Sequence, residues 1–144
     1  MTNYIQTNQT DILSVNAAAS LLNLISEADS GKTLIYNAQN AIQTYTLPLP
    51  KKGLRYRFEA GATLGFDVTI ASNPAGRILG KLINMSSAVA AVGTAIVFEV
   101  MKDPGNSVIM SATASFGDYV DLNSDGVNWY VIGWSSNATH NGLA

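Results

Sequence analysis

The residues whose types and spacing best fit a chemical site are Asp121, Asn123, Asp125 and Gly126. Oxygen-bearing side chains at alternate positions before a glycine turn match the first half of an EF-hand calcium loop. That loop also requires a bidentate glutamate at its twelfth position, where this chain has Ile132. A β-hairpin turn explains the same residues without an ion, so we predict no metal site and no cofactor.

Two further groups fall short of a catalytic or nucleotide site. Ser30-Gly31-Lys32-Thr33 resembles the end of a phosphate-binding loop, but the glycine required five residues before Gly31 is Ser26. His140 is the only histidine, so a Ser/His/Asp arrangement would have to act from a chain terminus. The acidic residues show no spacing that singles out an acid and base pair. We therefore predict that the protein is not an enzyme.

The composition excludes further classes of function. With eight basic and ten acidic residues and no basic cluster, the chain lacks a nucleic-acid footprint. It has no apolar run near the roughly 20 residues of a membrane span. Charged residues make up only 12% and hydrophobic residues 47%, which predicts an oligomer or an assembly subunit. A surface rich in Ser, Thr and Asn is the alternative explanation.

Short alternating runs separated by Gly, Pro, Asn and Ser predict an all-β fold. The clearest is Leu54 to Glu59, with apolar residues on one face and charged residues on the other. Phe66 to Ile70 repeats the pattern, and the glycine-bounded segment between the two predicts a hairpin. Further candidate strands are Thr33 to Asn37, Ile42 to Leu47, Arg77 to Asn84, Ala95 to Met101 and Ser107 to Thr113, the last two joined by a turn at Asp103 to Asn106.

Together these runs predict one domain with a single antiparallel, jelly-roll-like β-sandwich of about nine or ten strands. We place it at residues 17–144, after an N-terminal arm or extended segment of residues 1–16. One segment is ambiguous, because Ala17 to Ala28 has apolar residues at helical spacing. We predict a strand at Leu21 to Ile25 instead, since a lone short helix among strands would need its own packing partner.

The closing segment, Gly117 to Gly133, predicts a β-hairpin whose two faces are both largely apolar. A two-residue loop at Asp125-Gly126 sets the register. The cross-strand pairs are then Leu122 with Trp129 and Val120 with Val131, all on the inward face. The opposite face carries Tyr119, Asp121, Tyr130, Ile132 and Trp134.

Only one face of this hairpin can point into its own sandwich, so the second apolar stripe needs a cover. We predict a subunit or partner interface there, formed by Tyr119, Tyr130, Ile132 and Trp134. Tyrosine and tryptophan are enriched in such contacts. Two alternatives stay open: another segment of the same chain covers the stripe, or its rings form a platform for carbohydrate.

Several stretches together resemble small virion proteins of tailed bacteriophages and related viruses, which serve as capsid decoration or cement subunits and as fibre-head modules. The stretches are Ala28 to Thr33, Thr46-Leu47-Pro48, Gly53 to Phe58, Ile78-Leu79-Gly80, Gly117 to Val120, Ser124-Asp125-Gly126 and Trp129-Tyr130-Val131. These motifs mark turns and strands, so the resemblance transfers no site residue. It implies a β-sandwich, often a jelly roll and commonly trimeric, on a virion.

On that resemblance we expect a non-enzymatic capsid decoration or cement subunit, made in the host cytoplasm and located on the virion. Its partners would be its own copies in a homotrimer and the major capsid protein or other virion subunits. We expect no nucleic-acid and no membrane partner. Residues 1–16 would lie along a neighbouring subunit. The alternative function is a receptor- or carbohydrate-binding module at a viral tail or spike tip.

Overall fold

A computed structural model describes residues 12–15, 23–37, 41–74, 76–86, 95–100 and 105–135. Within these ranges the chain forms eleven strands and one short 3-10 helix, Glu27–Asp29. The strands are β1 (Ile12–Val15), β2 (Asn23–Leu24), β3 (Thr33–Tyr36), β4 (Gln43–Thr46), β5 (Arg55–Ala60), β6 (Val68–Ala71), β7 (Ile78–Ser86), β8 (Ala95–Val100), β9 (Ser107–Met110), β10 (Tyr119–Ser124) and β11 (Trp129–Ser135). The predicted all-β class is confirmed.

The strands form two sheets that enclose one apolar core. The large sheet has the order β1-β3-β5-β10-β11-β7-β8, and the small sheet has the order β2-β4-β6-β9. Burial alternates along most strands with a period of two, so Tyr56 and Phe58 of β5 point inward while Arg57 points outward. The small sheet contributes Tyr45 and Ile70 to the same core. The predicted β-sandwich is therefore confirmed.

Both sheets are mixed, although the sequence predicted antiparallel pairing. Five strand pairs are parallel and four are antiparallel. From β1 to β7 the chain changes sheet after every strand. As a result, β1, β2, β3 and β4 each pair in parallel with the strand that comes two later in the chain, for example β1 with β3. Crossing loops and hairpin loops have similar lengths and the same turn residues, so alternating hydrophobicity could not separate the two arrangements.

Two predicted strand connections are corrected in the same way. Leu54 to Glu59 and Phe66 to Ile70 do contain strands, β5 and β6, but these lie in different sheets and form no hairpin. Strands β8 and β9 also lie in different sheets, and much of the predicted turn between them falls outside the described residues. Strands β5 and β6 turn their buried residues toward one shared core from the two facing sheets.

Two predictions near the N-terminus have different outcomes. Of the strand predicted at Leu21 to Ile25, Asn23–Leu24 form β2, which pairs parallel to β4; Ile25 follows the strand, and residues 21 and 22 lie outside the described ranges. Within the predicted arm, β1 pairs parallel to β3 of its own chain. Residues 1–11 and 16 lie outside the described ranges, so the arm stays a prediction.

Strands β10 and β11 form the predicted hairpin in a different register. The observed pairs are Ser124 with Trp129, Leu122 with Val131 and Val120 with Gly133. The predicted two-residue loop is therefore wrong, and four residues from Asp125 to Asn128 join the strands. Because the register differs by an even number, every side chain keeps its predicted face. Val120, Leu122, Trp129 and Val131 are all buried.

The aspartate at the start of the loop explains the longer turn. The Asp125 carboxylate accepts hydrogen bonds from the amides of Val127 and Asn128, both at 2.8 Å. An aspartate that bonds the backbone two and three residues ahead stabilises a turn without requiring positive φ at two positions. Glycine is used once, at Gly126, where φ is +104°.

Three aromatic rings form the part of the core beneath β3, β4 and β5. The Tyr36 ring lies 6.1 Å from that of Phe58 with the two planes parallel, and 5.0 Å from the tilted ring of Tyr45. The hydroxyls of both tyrosines are buried without a hydrogen bond of normal geometry. Burial raises the pKa of Tyr45 to about 12 and that of Tyr36 well above its usual value. Both side chains are therefore neutral at physiological pH.

Candidate functional site

The outer face, the side of the large sheet turned away from the small sheet, carries three rows of outward side chains. The strand register aligns Arg55, Asn123, Tyr130 and Leu79 in one row, Thr33, Arg57, Asp121, Ile132 and Lys81 in the next, and Ile35, Glu59, Tyr119, Trp134 and Ile83 in the third. The four residues predicted as an interface therefore share this face. Their contact with another molecule stays a prediction.

The outer face divides along the boundary between β10 and β11. The charged half, on β5 and β10, consists of Arg55, Arg57, Glu59, Tyr119, Asp121 and Asn123. The apolar half, on β7 and β11, consists of Leu79, Ile83, Tyr130, Ile132 and Trp134, with Lys81 as its one charged neighbour on β7. The division follows from the strand order, because β5 is the neighbour of β10 and β7 is the neighbour of β11.

Arg57 bridges two carboxylates at the centre of the charged half. Its Nε donates to Glu59 Oε2 at 3.0 Å, and its Nη1 donates to Asp121 Oδ2 at 3.0 Å. The guanidinium carbon also lies 3.9 Å from the centroid of the Tyr119 ring, a cation–π contact. The sequence grouped Tyr119 with the exposed stripe, whereas the structure shows it half-buried beside Arg57. Tyr119 thus lies between the two halves, with Arg57 over its ring on one side and its strand partner Trp134 on the other.

The Asp121 carboxylate is partly withdrawn from water. Burial raises its pKa above the usual value, the Arg57 guanidinium opposes that shift, and Glu59 adds to it. A carboxylate has room for about four hydrogen bonds. Among the described residues, the hydrogen bonds to the Asp121 carboxylate come from Arg57 alone, so Asp121 keeps acceptor capacity on the outer face.

The apolar half presents large side chains to solvent. Ile132 is 59% exposed and Tyr130 is 43% exposed, and no described segment of the chain covers them. Trp134, Leu79 and Ile83 are half-buried beside them. The Tyr130 hydroxyl donates to Asp125 Oδ2 at 3.0 Å, which ties its ring to the hairpin loop. The ring is therefore held in place on the sheet.

The outer side of the small sheet has a different character. Its outward side chains are small except for one isoleucine, and all are half-buried: Thr44, Thr46, Thr69, Ala71, Ser107 and Ile109. Other large apolar side chains exposed within the described ranges lie on loops or on β2: Leu24, Ile42, Leu49, Phe66, Phe116 and Val127. Among the described residues, the large apolar side chains that are exposed on the large sheet are Tyr130 and Ile132, and both belong to the apolar half.

The residues considered for calcium, phosphate and acid–base chemistry have structural partners or fall outside the description. Asp121 pairs with Arg57, and the Asp125 carboxylate bonds the hairpin loop and Tyr130. Lys32 pairs with Asp29 at 2.8 Å in a turn. His140 lies outside the described residues. Across the described ranges, no three His, Cys, Asp or Glu side chains come together as a potential metal site.

A groove that the sequence did not predict lies at the end of the charged half where β5 begins. Its volume is about 390 Å³, and its walls include Lys32, Arg55, Arg57, Asp121, Asn123 and Ile132. These residues come from three strands and one turn that are far apart in sequence. The alternation of Arg55 and Arg57 on β5 was the available signal, but it showed neither the opposing wall nor which arginine is paired.

Comparisons with family models, with curated proteins and with solved structures gave no match. The virion resemblance therefore rests on the motifs quoted above and stays a prediction. No helix in the described part of the chain is long and apolar enough to cross a membrane.

Proposed function

We propose that this protein is a non-enzymatic assembly subunit that binds protein through the apolar half of its outer face. The supporting observation is the exposure of Ile132 and Tyr130 at the centre of a regular sheet. Large apolar side chains that stay in water on a flat, supported surface are typical of interaction sites. The proposal assigns no reaction, because Arg57, Glu59 and Asp121 are engaged in ion pairs with one another.

The energetics favour association through this surface. Full burial of an isoleucine-sized side chain contributes about 1.5 to 3 kcal/mol. Tyr130 is already oriented by its bond to Asp125, so a partner would restrict little additional side-chain freedom. Trp134 and Leu79 extend the contact along β11 and β7. Such a cluster of aromatic and aliphatic anchors resembles the centre of a protein interface.

The specific form that we propose is a capsid decoration or cement subunit, active as a homotrimer on a virion and in contact with the major capsid protein or other virion subunits. Its support is the motif resemblance together with the exposed apolar half. Such a subunit would stabilise a shell by joining several neighbours, so that many weak contacts would have to break together.

The experiment is a mass measurement of the purified protein by sedimentation equilibrium over a range of concentrations. We expect an oligomer for the natural chain and a monomer for Ile132→Asp, since a charge at that position would have to be buried unpaired. Val127→Asp is the matched control, because Val127 is 67% exposed but lies on the hairpin loop. Double substitution of Tyr130 and Trp134 by serine should also dissociate the oligomer.

Two results would contradict this proposal. A natural chain that stays monomeric at every concentration would remove the homotrimer. An Ile132→Asp variant with unchanged mass would show that the oligomer forms through a different surface. Circular dichroism of each variant checks that the monomer is still folded, as expected for exposed positions.

A further inference from the structure

The groove of the charged half has an open end created by a glycine. Gly31 donates its backbone N–H to the carbonyl oxygen of Arg55 at 2.8 Å, so it lies beside Arg55 just before β3 begins. Its φ of +88° strongly favours glycine. Because this position has no side chain, the space beside the Arg55 guanidinium remains accessible.

The groove contains a guanidinium without an anionic partner. Arg57 is paired with Glu59 and Asp121, whereas the side chain of Arg55 has no ion pair or hydrogen bond with any other described residue. Lys32 stands beside it and is itself paired with Asp29. Lys32 and Arg57 are therefore balanced by the carboxylates of Asp29, Glu59 and Asp121. The Arg55 guanidinium is accessible in a concave site and has no anionic partner among the described residues, so it suits a carboxylate, which it can bind with two parallel bonds.

The rest of the groove suits hydroxyl groups better than a second anion. Asp121 keeps acceptor capacity, and its partly buried carboxylate would be stabilised by a hydroxyl donor. The Asn123 amide, which has no partner within the described residues, offers one acceptor and two donors. Ile132 adds an apolar wall. A bare anion such as phosphate would leave these acceptors unused and would be repelled by Asp121.

We propose that this groove binds a pyranose sugar that carries a carboxylate. The carboxylate would lie on Arg55, the ring hydroxyls would bond Asp121 and Asn123, and the apolar edge of the ring would contact Ile132. A volume of about 390 Å³ accommodates a sugar of this size. The inference depends mainly on Arg55, Asp121 and Asn123, which lie in the charged half, and it shares only Ile132 with the protein-binding proposal.

A titration with two matched sugars tests the inference. Methyl β-D-glucuronide and methyl β-D-glucoside differ only in the group at C6, a carboxylate in the first and a hydroxymethyl in the second. We expect the glucuronide to bind the full chain at low ionic strength, and the glucoside to bind at least about tenfold more weakly. Calorimetry gives the affinities, and backbone amide shifts at Arg55 and Asn123 locate the site.

Matched variants separate the groove from the rest of the surface. Arg55→Gln should weaken glucuronide binding about tenfold, whereas Arg77→Gln, which removes an exposed arginine outside the groove, should leave it unchanged. Asn123→Ala should weaken both sugars, because it removes hydroxyl contacts. Circular dichroism confirms that each variant is folded, as expected for residues on the exposed side of a strand or on a loop.

Four results would overturn the inference. The first is no glucuronide binding at tens of millimolar. The second is equal affinity for glucoside and glucuronide. The third is equal weakening by Arg55→Gln and Arg77→Gln, and the fourth is sodium acetate binding as tightly as the glucuronide. None of these results bears on the oligomer mass, so failure of this inference is distinguishable from failure of the protein-binding proposal.

Discussion

The two halves of the outer face share one sheet but solve the problem of exposure in opposite ways. In the charged half, side chains satisfy one another, as Arg57 does with Glu59, Asp121 and the ring of Tyr119. In the apolar half, Ile132 and Tyr130 face solvent without a cover from the described chain. Both halves rest on the same buried core, so the core does not dictate either composition. The difference teaches that the outward residues carry information about binding that the inward residues do not.

The largest expected effect comes from a glycine on which the apolar half depends. Gly80 has φ +145°, and a Cβ there would collide with the backbone carbonyl of Val131 on β11. Gly80→Ala should therefore separate β7 from β11 and lower the free energy of unfolding by about 3 kcal/mol or more. Urea denaturation measures the change.

Gly53→Ala is the matched control for that substitution. Gly53 also has positive φ, +89°, but a Cβ there meets nothing within 4 Å. Gly53→Ala should lower the free energy of unfolding by only about 1 kcal/mol, because only the positive-φ backbone conformation opposes the new side chain. Equal losses for the two variants would show that β7 and β11 do not need close approach.

The next effect concerns the centre of the charged half. Arg57→Gln leaves Glu59 and Asp121 near each other without their shared cation. We expect a loss of about 1 kcal/mol in the free energy of unfolding, limited because the groups are partly exposed. Lys81→Gln removes a cation from the same row at an exposed position and should stay within about 0.5 kcal/mol of the natural chain. If both variants unfold alike, Arg57 is no more important than an ordinary surface cation.

Salt should act on the two halves differently. Raising sodium chloride from about 0.05 M to about 0.5 M screens exposed charges. The affinity of the groove for methyl β-D-glucuronide should fall several-fold, whereas self-association through the apolar half should change less than about twofold. Calorimetry and sedimentation at both salt concentrations check this. An oligomer that dissociates in high salt would assign the contact to the charged half.

The smallest expected effect is a pair of opposite pH dependences. The pKa of folded Asp121 is raised by burial, so its contribution to stability falls as pH rises from its unfolded pKa, about 3.9, through its folded pKa. The pKa of Asp29 is lowered, chiefly by its hydrogen bond from Lys32, so its contribution is lost as pH falls below about 3.9.

Two asparagine variants measure these contributions. As pH rises from 3 to 6, Asp121→Asn should become less destabilising relative to the natural chain. Over the same rise, Asp29→Asn should become more destabilising. Thermal unfolding across that range records both differences. Parallel trends for the two variants would contradict the opposite environments described for these carboxylates.

The strands and their faces were largely predictable from the sequence, but their partners were not. Alternation in Leu54 to Glu59 identified β5 and its buried side, because period two is a local property. Whether β6 pairs with β5 or crosses to the facing sheet depends on contacts that local periodicity does not encode. The hairpin register was wrong by two residues, since the hydrogen bonds of Asp125 outweighed the expected Asp-Gly turn.

The candidate site was predictable to a similar degree. Tyr130, Ile132 and Trp134 were assigned to the correct face because parity survives an even change of register. The contact of Arg57 with Tyr119 and the accessible guanidinium of Arg55 were not predicted. Both depend on which residues of β3, β5 and β10 lie side by side, which only the strand order settles.

The position of the closing hairpin has a consequence for synthesis. Strands β10 and β11 insert between β5 and β7, at the middle of the large sheet. A nascent chain that has not yet reached residue 119 would hold two separate blocks, each with an open strand edge able to recruit other chains. The large sheet would therefore close only when β10 and β11 pair with both blocks, and a chaperone that shields those edges would matter most before that step.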